Sequence, residues 1–562
     1  MIPTLFRRPT NTHPPVAGVG TPALLGLMLV VFLLQVRPTR GDDFGVAASG
    51  NWFDAETWVS TSGTQGIPEA GDGVFIGVAG FPEAGAIANA TVTLSGSGSA
   101  TRVNVGSYLT TTGSGALVLS SGSLATSSLT LDGTSGGAAT LDFAGGSLGV
   151  AGELAILGPG VTLTRTAGSF TTANLALNAF ALATTPNDTI SSSVSLMNGS
   201  SLTLGSGLSL SGNLTLSNAT LNLQDLGVSV TGILSLAEGS AVNRGAGAAG
   251  SISAGGFTIS GSTSFTVESG DAISGPVSIS DGADLAANAP LSGLSALSVT
   301  GTGSTFVANG QVAGLGSAVA TVAGGALLTA NGGLTAGTLT VAGGTLELNG
   351  GLLEASTLAL GSGDTAATVL RGGGSMDIGA GLIDGNTAVP LLPADAFDSL
   401  RVISGNATVA QGPGDLTGLV IRNTSANALT VEAVGGLTLN FDAPGSAVPS
   451  DWVLRWNGDQ VAALVSLIDN GYVTVNRLDH RVTYDAALNA TFVMVPEPSS
   501  ALLLLALGPA GWWLLTGRRR SAVTLRAPSC GGERLAQEFH ARHREDNRHQ
   551  EPDPADGELE GA

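Results

Sequence analysis

The chain contains no lysine. All 21 basic residues are arginine, set against 42 acidic residues, for a net charge of -21. So acidic a chain lacks the basic surface needed to hold a nucleic-acid backbone, which excludes nucleic acid as a partner. Cysteine is nearly absent: the only one is Cys530. An intrachain disulfide is therefore impossible, and thiolate metal sites are excluded from everything before that residue. Aromatic residues are 4% of the chain and charged residues 11%, where an average chain is about 25% charged. The six tryptophans stand at 52, 58, 452, 456, 512 and 513, so the long middle of the chain has none. What remains is glycine, 84 of them, with serine, threonine, alanine, leucine and valine. Polarity without charge is compatible with disorder, but here the apolar residues are periodic, and periodicity requires a folded body.

Two uncharged apolar runs bracket that body. The first, 23–36, follows Arg7 and Arg8 and reads as a secretory signal peptide. No small-x-small cleavage site follows it; Arg37-Pro38-Thr39-Arg40 comes instead, so retention as an anchor stays open. The residues that normally follow a twin-arginine pair are missing, so that export route is discounted. The second run, Ala501 to Thr516, is preceded by Val495-Pro496-Glu497-Pro498-Ser499-Ser500 and closed by Arg518, Arg519 and Arg520. As a helix it spans roughly 24 Å, short for a bilayer and extended by its flanks. Trp512 and Trp513 stand toward the basic end, where indoles favour the interface, and the arginines stay cytoplasmic. Pro509 is tolerable in lipid. A buried core helix is the plain alternative.

This ending resembles the PEP-CTERM sorting signal of exported proteins in Gram-negative bacteria. The resemblance implies an exosortase-type sorting enzyme as partner, reading Pro496-Glu497-Pro498 at the inner membrane. It implies Val495, Pro496, Glu497, Pro498, Arg518, Arg519 and Arg520 as the sorting residues. It also implies export, with anchoring in the membrane during sorting and then a cell-surface or extracellular location. Members of that family end within a few residues of the basic cluster. This chain runs on for 42 residues, through Cys530, His540, His543, His549 and an acidic stretch at 551–560. That tail reads as disordered and solvated rather than metal-binding, and a shifted reading frame also accounts for it.

Between the runs, apolar-polar-apolar triplets recur. Leu202-Thr203-Leu204, Leu208-Ser209-Leu210, Leu214-Thr215-Leu216, Leu221-Asn222-Leu223, Val228-Ser229-Val230 and Leu234-Ser235-Leu236 start 6, 6, 7, 7 and 6 residues apart. Each triplet points two large side chains to one face of a short strand, and Gly, Ser and Asn fill the corners. Units this short suit a coil in which two or three strands make one rung and rungs stack as parallel sheets. The expected fold is all-β: a parallel β-solenoid, or β-helix, with an N-terminal cap and a small C-terminal cap module, flanked by two apolar membrane-targeting helices. At roughly 20 residues per rung, about 17 rungs make a rod on the order of 80 Å long. An antiparallel sandwich is the alternative. Phe143, Phe170, Phe257, Phe265 and Phe306 are expected to plug the core.

Gly324-Gly325-Ala326-Leu327 and Gly343-Gly344-Thr345-Leu346-Glu347-Leu348-Asn349-Gly350 resemble the autotransporter-associated β-strand repeat, which implies a surface-type solenoid. No outer-membrane barrel pattern follows, so the expectation stops short of an autotransporter. Ahead of the repeats, Gly50-Asn51-Trp52, Thr57-Trp58, Pro68-Glu69-Ala70-Gly71-Asp72 and Val74-Phe75-Ile76-Gly77 resemble the opening of many secreted bacterial β-solenoid proteins. Physically they read as a cap in which Trp52 and Trp58 cover the first rung; an aromatic sugar platform is the functional alternative. Behind the repeats, 451–456 reads as a strand, 459–470 as a helix stopped by Gly471, and 472–475 and 482–484 as strands. The expected organisation is a signal peptide or anchor at 1–40, a cap at 41–95, repeats at 96–436, a small α+β cap at 437–494, the sorting signal at 495–520 and a tail at 521–562.

Little carries chemistry. Gly133-Thr134-Ser135-Gly136-Gly137 has the letters of a nucleophile elbow, expected by chance in so Gly- and Ser-rich a chain, and no helix pattern follows it. The only histidine of the body is His480, and nothing pairs it with Ser135. Asp281, Asp284, Asp364 and Asp415 are solitary; they leave room for weak Ca²⁺ binding and otherwise read as solvated turns. No cofactor is implied. The expected function is structural or adhesive, at the cell surface or in an extracellular matrix, with extracellular polysaccharide as the external partner. The alternative is a secreted polysaccharide lyase or hydrolase, which needs clustered carboxylates with basic partners to stabilise a carbanion. Ice binding ranks third, because Thr recurs only intermittently at the outward centre of the triplets.

Overall fold

The computed structural model describes residues 41–494 apart from 64, 79–80, 82–84, 110, 246–249, 394, 411–417, 433 and 441–451. All described residues belong to one compact unit. Among them no helix is long and apolar enough to cross a membrane; the apolar runs 23–36 and 501–516 lie outside the described residues.

The triplets become strands of a three-faced coil, three per rung. Leu208–Leu210 lies on a first face, Leu214–Ser217 on a second and Thr220–Asn222 on a third. In most rungs the first two faces are one strand with a kink. Ser147–Leu157, for example, pairs with both neighbours through 147–150 and 153–157, with its irregularity between Val150 and Glu153. All twelve large side chains of the six triplets from Leu202 to Leu236 are buried. Alternation thus fixes which face each residue takes, and the burial of leucine and valine drives the coil closed.

Pairing between rungs is parallel, which removes the antiparallel sandwich. One inward column can be followed from Val103 through Leu129, Leu154 and Leu175 to Leu358, Gly381 and Leu400 by successive Cα partners. It takes fourteen steps to cover 297 positions, about 21 residues per turn. At about 4.8 Å per step the column is about 67 Å long. The turns are slightly longer than the triplet spacing implies because corners vary in length. The core is continuous from Phe44 to Val493, and all five named phenylalanines are buried in it. At Gly381 the column has no side chain, and Phe397 of the next turn fills the place: a Cβ there would stand 2.7 Å from the Phe397 ring.

Glycine lets the corners stack. An added Cβ at Gly122 would come within 1.6 Å of the Gly96 carbonyl oxygen one turn below. Gly146, at φ +76, stands in the same relation to Gly122. Asparagine forms a second stack. Asn288, Asn309, Asn331 and Asn349 each follow a third-face strand, and each later amide donates to the side-chain oxygen below at 2.9, 2.7 and 3.0 Å. Asn288 in turn donates to Glu268 at 3.2 Å. The motif at Gly343–Gly350 therefore reads physically as a glycine corner, two inward leucines and one ladder asparagine.

Both ends are closed by antiparallel strands. At the first, Asp43–Val46 pairs in parallel with Gly73–Ile76 and antiparallel with Trp58–Ser60. At the other, parallel pairing continues through Gly436–Asn440 and Val473–Val475, and Trp452–Asn457 pairs with Leu419–Ile421. The helix Val461–Asp469, with Leu464 buried, and the hairpin Arg481–Asp485 and Ala490–Met494 close the end.

Candidate functional site

Val495, Pro496, Glu497, Pro498, Arg518, Arg519 and Arg520, expected from the sequence as sorting residues, lie outside the described residues. The point at which they leave the body is described. Ala490–Met494 lies between Trp452–Asn457 and Arg481–Asp485 and pairs antiparallel with both. Ala490 and Val493 are fully buried. The tripeptide thus begins within two residues of a strand hydrogen-bonded on both sides, with no linker between.

The two early tryptophans are fully buried. Their rings meet edge to face at 5.2 Å, and the Trp58 indole N–H donates to the Trp52 carbonyl at 2.8 Å. Neither offers a face to solvent, so the sugar-platform alternative fails at these residues and packing over the first rung is their role.

Ser135 is exposed in the corner between Ser123–Asp132 and Ala138–Phe143. The carboxylate beside it, Asp132, is taken by the Thr134 hydroxyl at 2.6 Å and its N–H at 2.9 Å. His480 lies in the closing module at the other end, with Nδ1 2.6 Å from the Arg477 carbonyl oxygen. The fold brings the two nowhere near one another. Asp281 meets its neighbour Ser280, Asp284 accepts from Thr305 at 2.5 Å, Asp364 is exposed, and Asp415 lies outside the described residues. No group of three or more His, Cys, Asp or Glu is placed to hold a metal among the described residues. Asp384 accepts from Ser404 and from the Gly385 and Gly363 N–H groups, which hold its carboxyl below the usual range.

The most elaborate polar sites are three that sequence reasoning missed. In the third-face strands the second inward position is aliphatic or aromatic in most rungs. Leu119 and Phe143 pair along one column, Leu202–Leu204 and Leu221–Leu223 stack in the next segment, and Leu348 follows later. That position is occupied by arginine three times. Arg165 is the register partner of Phe143, Arg371 that of Leu348, and Arg244 follows Ala241–Asn243 two residues after Val242. Each guanidinium meets an aspartate one turn on. Arg165 donates to Asp188 at 2.5 Å, Arg244 to both oxygens of Asp271 at 2.8 and 2.7 Å, and Arg371 to both oxygens of Asp395 at 3.0 and 3.2 Å.

Each aspartate accepts two backbone N–H groups as well. One comes from the residue three before it: Thr185, Glu268 or Leu392, at 2.7, 2.8 and 2.7 Å. The other comes from the turn below: Phe170, Ile252 or Met376, at 2.9, 2.8 and 2.8 Å. Arg165 also lies over the rings of Phe143 and Phe170, and Arg244 over Phe265. The aspartate side chains are 1, 1 and 0% exposed. Burial pushes the Asp395 carboxyl above the usual carboxylate range, against the opposing pull of Arg371 and the two N–H donors. The other three arginines of 96–436 are also paired: Arg102 with Asp43, Arg401 with Glu432, and Arg422 with Asp377 and Asp398.

No protein-family model matches the chain, and neither a curated protein nor a solved structure is detectably similar to it.

Proposed function

We propose that this chain is an exported structural or adhesive protein, displayed at the cell surface or in an extracellular matrix and sorted through Val495–Pro498 and Arg518–Arg520. The observation that carries the reading is the join at Met494. A closed solenoid of about fourteen turns ends in a buried strand at Met494, and the sorting tripeptide starts two residues on, at Pro496. The described strands pair with one another up to Met494, so an exosortase-type enzyme acting at the tripeptide leaves every described ladder intact. The inner membrane holds the chain through its apolar runs until then.

The reading also fits the side chains. Every arginine between 96 and 436 is committed to a carboxylate of the same chain. A lyase needs a free cation beside the abstracted proton, and none of these six is free. The solenoid fold itself fits a polysaccharide-active protein equally well, but the lyase form of that alternative finds no free arginine among these six.

Mass spectrometry of the mature ends tests the sorting step. New termini near Val36 and near Pro498 are expected; a chain that keeps both apolar runs in the exporting cell overturns the processing reading. Binding of the purified body to whole cells and extracellular polymer tests the role. Absence of binding to both, with turnover of a polysaccharide, overturns it.

A further inference from the structure

The three arginine–aspartate pairs are not scattered. The first and second faces form one sheet of 25 strands, whereas the third face is broken into sheets of five, four and ten strands. The five-stranded sheet ends at Val161–Arg165 and the four-stranded one begins at Ala181–Ala183. The latter ends at Ala241–Asn243, and the ten-stranded sheet begins at Ser264–Val267. Arg165 and Asp188 bridge the first break; Arg244 and Asp271 bridge the second. At the third pair the ladder between Thr368–Arg371 and Ala388–Leu391 falls to a single registered pair, Thr368 with Ala388. Most other third-face steps have three to six registered pairs.

The other two faces run through the breaks. Ser169–Asn178 keeps seven registered partners in Thr189–Met197, and Val228–Ala237 keeps seven in Ile252–Ile259. Each break is thus a seam on one side of a coil that stays bonded on the other two. A charged side chain in the aliphatic column explains the seam. The guanidinium must reach its carboxylate at the corner, together with a carbonyl oxygen for Arg244 and Arg371 or the Thr185 hydroxyl for Arg165, and this draws it from the place an aliphatic side chain takes in the column.

We propose that these pairs are latches on one-sided hinges: each holds the third face closed where backbone pairing does not, and its release opens that seam while the rest of the solenoid stands. The rod is then three segments joined by two full hinges, at Arg165/Asp188 and Arg244/Asp271, with a partial one at Arg371/Asp395. This holds whether or not the chain is sorted as proposed above.

Thiol labelling of the full chain tests it, because the body has no cysteine and Cys530→Ser removes the remaining one. Leu182, 3% exposed, lies under the first seam; Leu328, fully buried, lies inside the unbroken ten-stranded ladder. The Leu182→Cys and Leu328→Cys thiols report opening at each place. Asp188→Asn is expected to speed maleimide labelling at the first by about a hundredfold and to leave the second unchanged. Arg165→Met is the second variant and is expected to act in the same way. Equal acceleration at both thiols, no acceleration at either, or loss of folding in both variants overturns the proposal, since each means that the pair is not a local latch.

Discussion

Two neighbouring stretches of the third face solve the same problem differently. From Asp284–Ala287 to Thr345–Leu348, successive strands carry four registered pairs per step, an aliphatic or aromatic plug and an asparagine ladder at the corner. One turn before that stretch, between Ala241–Asn243 and Ser264–Val267, no ladder forms, and Arg244 ties the turns together through Asp271 and two carbonyl oxygens. The first mode is distributed: many weak bonds, each shared with its neighbours. The second is concentrated in one buried ion pair, which adds little net stability over an apolar plug but costs much when one partner is lost. A rod made only of the first mode is uniform. The second mode gives it places.

The contrast is best broken at its strongest point. Asp271→Ala leaves Arg244 buried without its partner and is expected to cost about 3–5 kcal/mol, read as a lower urea midpoint by far-UV circular dichroism. Leu346→Ala, in the intact ladder, is expected to cost about 2–5 kcal/mol through its cavity, with loosening shared by neighbouring turns rather than confined to one step. Hydrogen exchange distinguishes the two. Asn309→Ala removes two amide bonds of the ladder and is expected to cost about 1–2 kcal/mol by the same denaturation assay. The smallest effect is at Asp384. Its carboxyl is held below the usual range, so its contribution is present above about pH 4, where the unfolded carboxylate is ionised, and is lost as pH falls through its folded value. The stability gap between the native chain and Asp384→Asn is expected to close on acidification; a gap that widens contradicts the assignment.

Much of the fold was legible in the triplets. Leu202, Leu208 and Leu214 begin three triplets and land on three faces of one turn, because a period of two inside each strand and glycine between strands leaves little else. The burial of Trp52 and Trp58 was legible because large side chains are what cover the open end of a core. The latches were not read, although their signal was present. In Val161-Thr162-Leu163-Thr164-Arg165 the alternation runs on and places Arg165 inward, and Asp188 stands one turn later. A charge in an inward slot is easily taken for the end of a strand; only the turn above supplies the aspartate that makes it tolerable. The asparagine ladder was likewise visible as Asn288, Asn309, Asn331 and Asn349 at intervals of 21, 22 and 18 residues. The strand Ala490–Met494 was not, although its hairpin partner reads as a strand at 482–484, because antiparallel closure depends on which edge the last turn leaves open.

The difference between ladder and latch is tested most directly by native-state hydrogen exchange of the unmodified chain. The amides of Ala181–Ala183 and Ser264–Val267 are expected to exchange at least tenfold faster than those of Asp284–Ala287 and Thr345–Leu348, while Ser169–Asn178 and Ile252–Ile259 beside the seams stay protected. Uniform protection along the third face, with no step at either seam, contradicts the account.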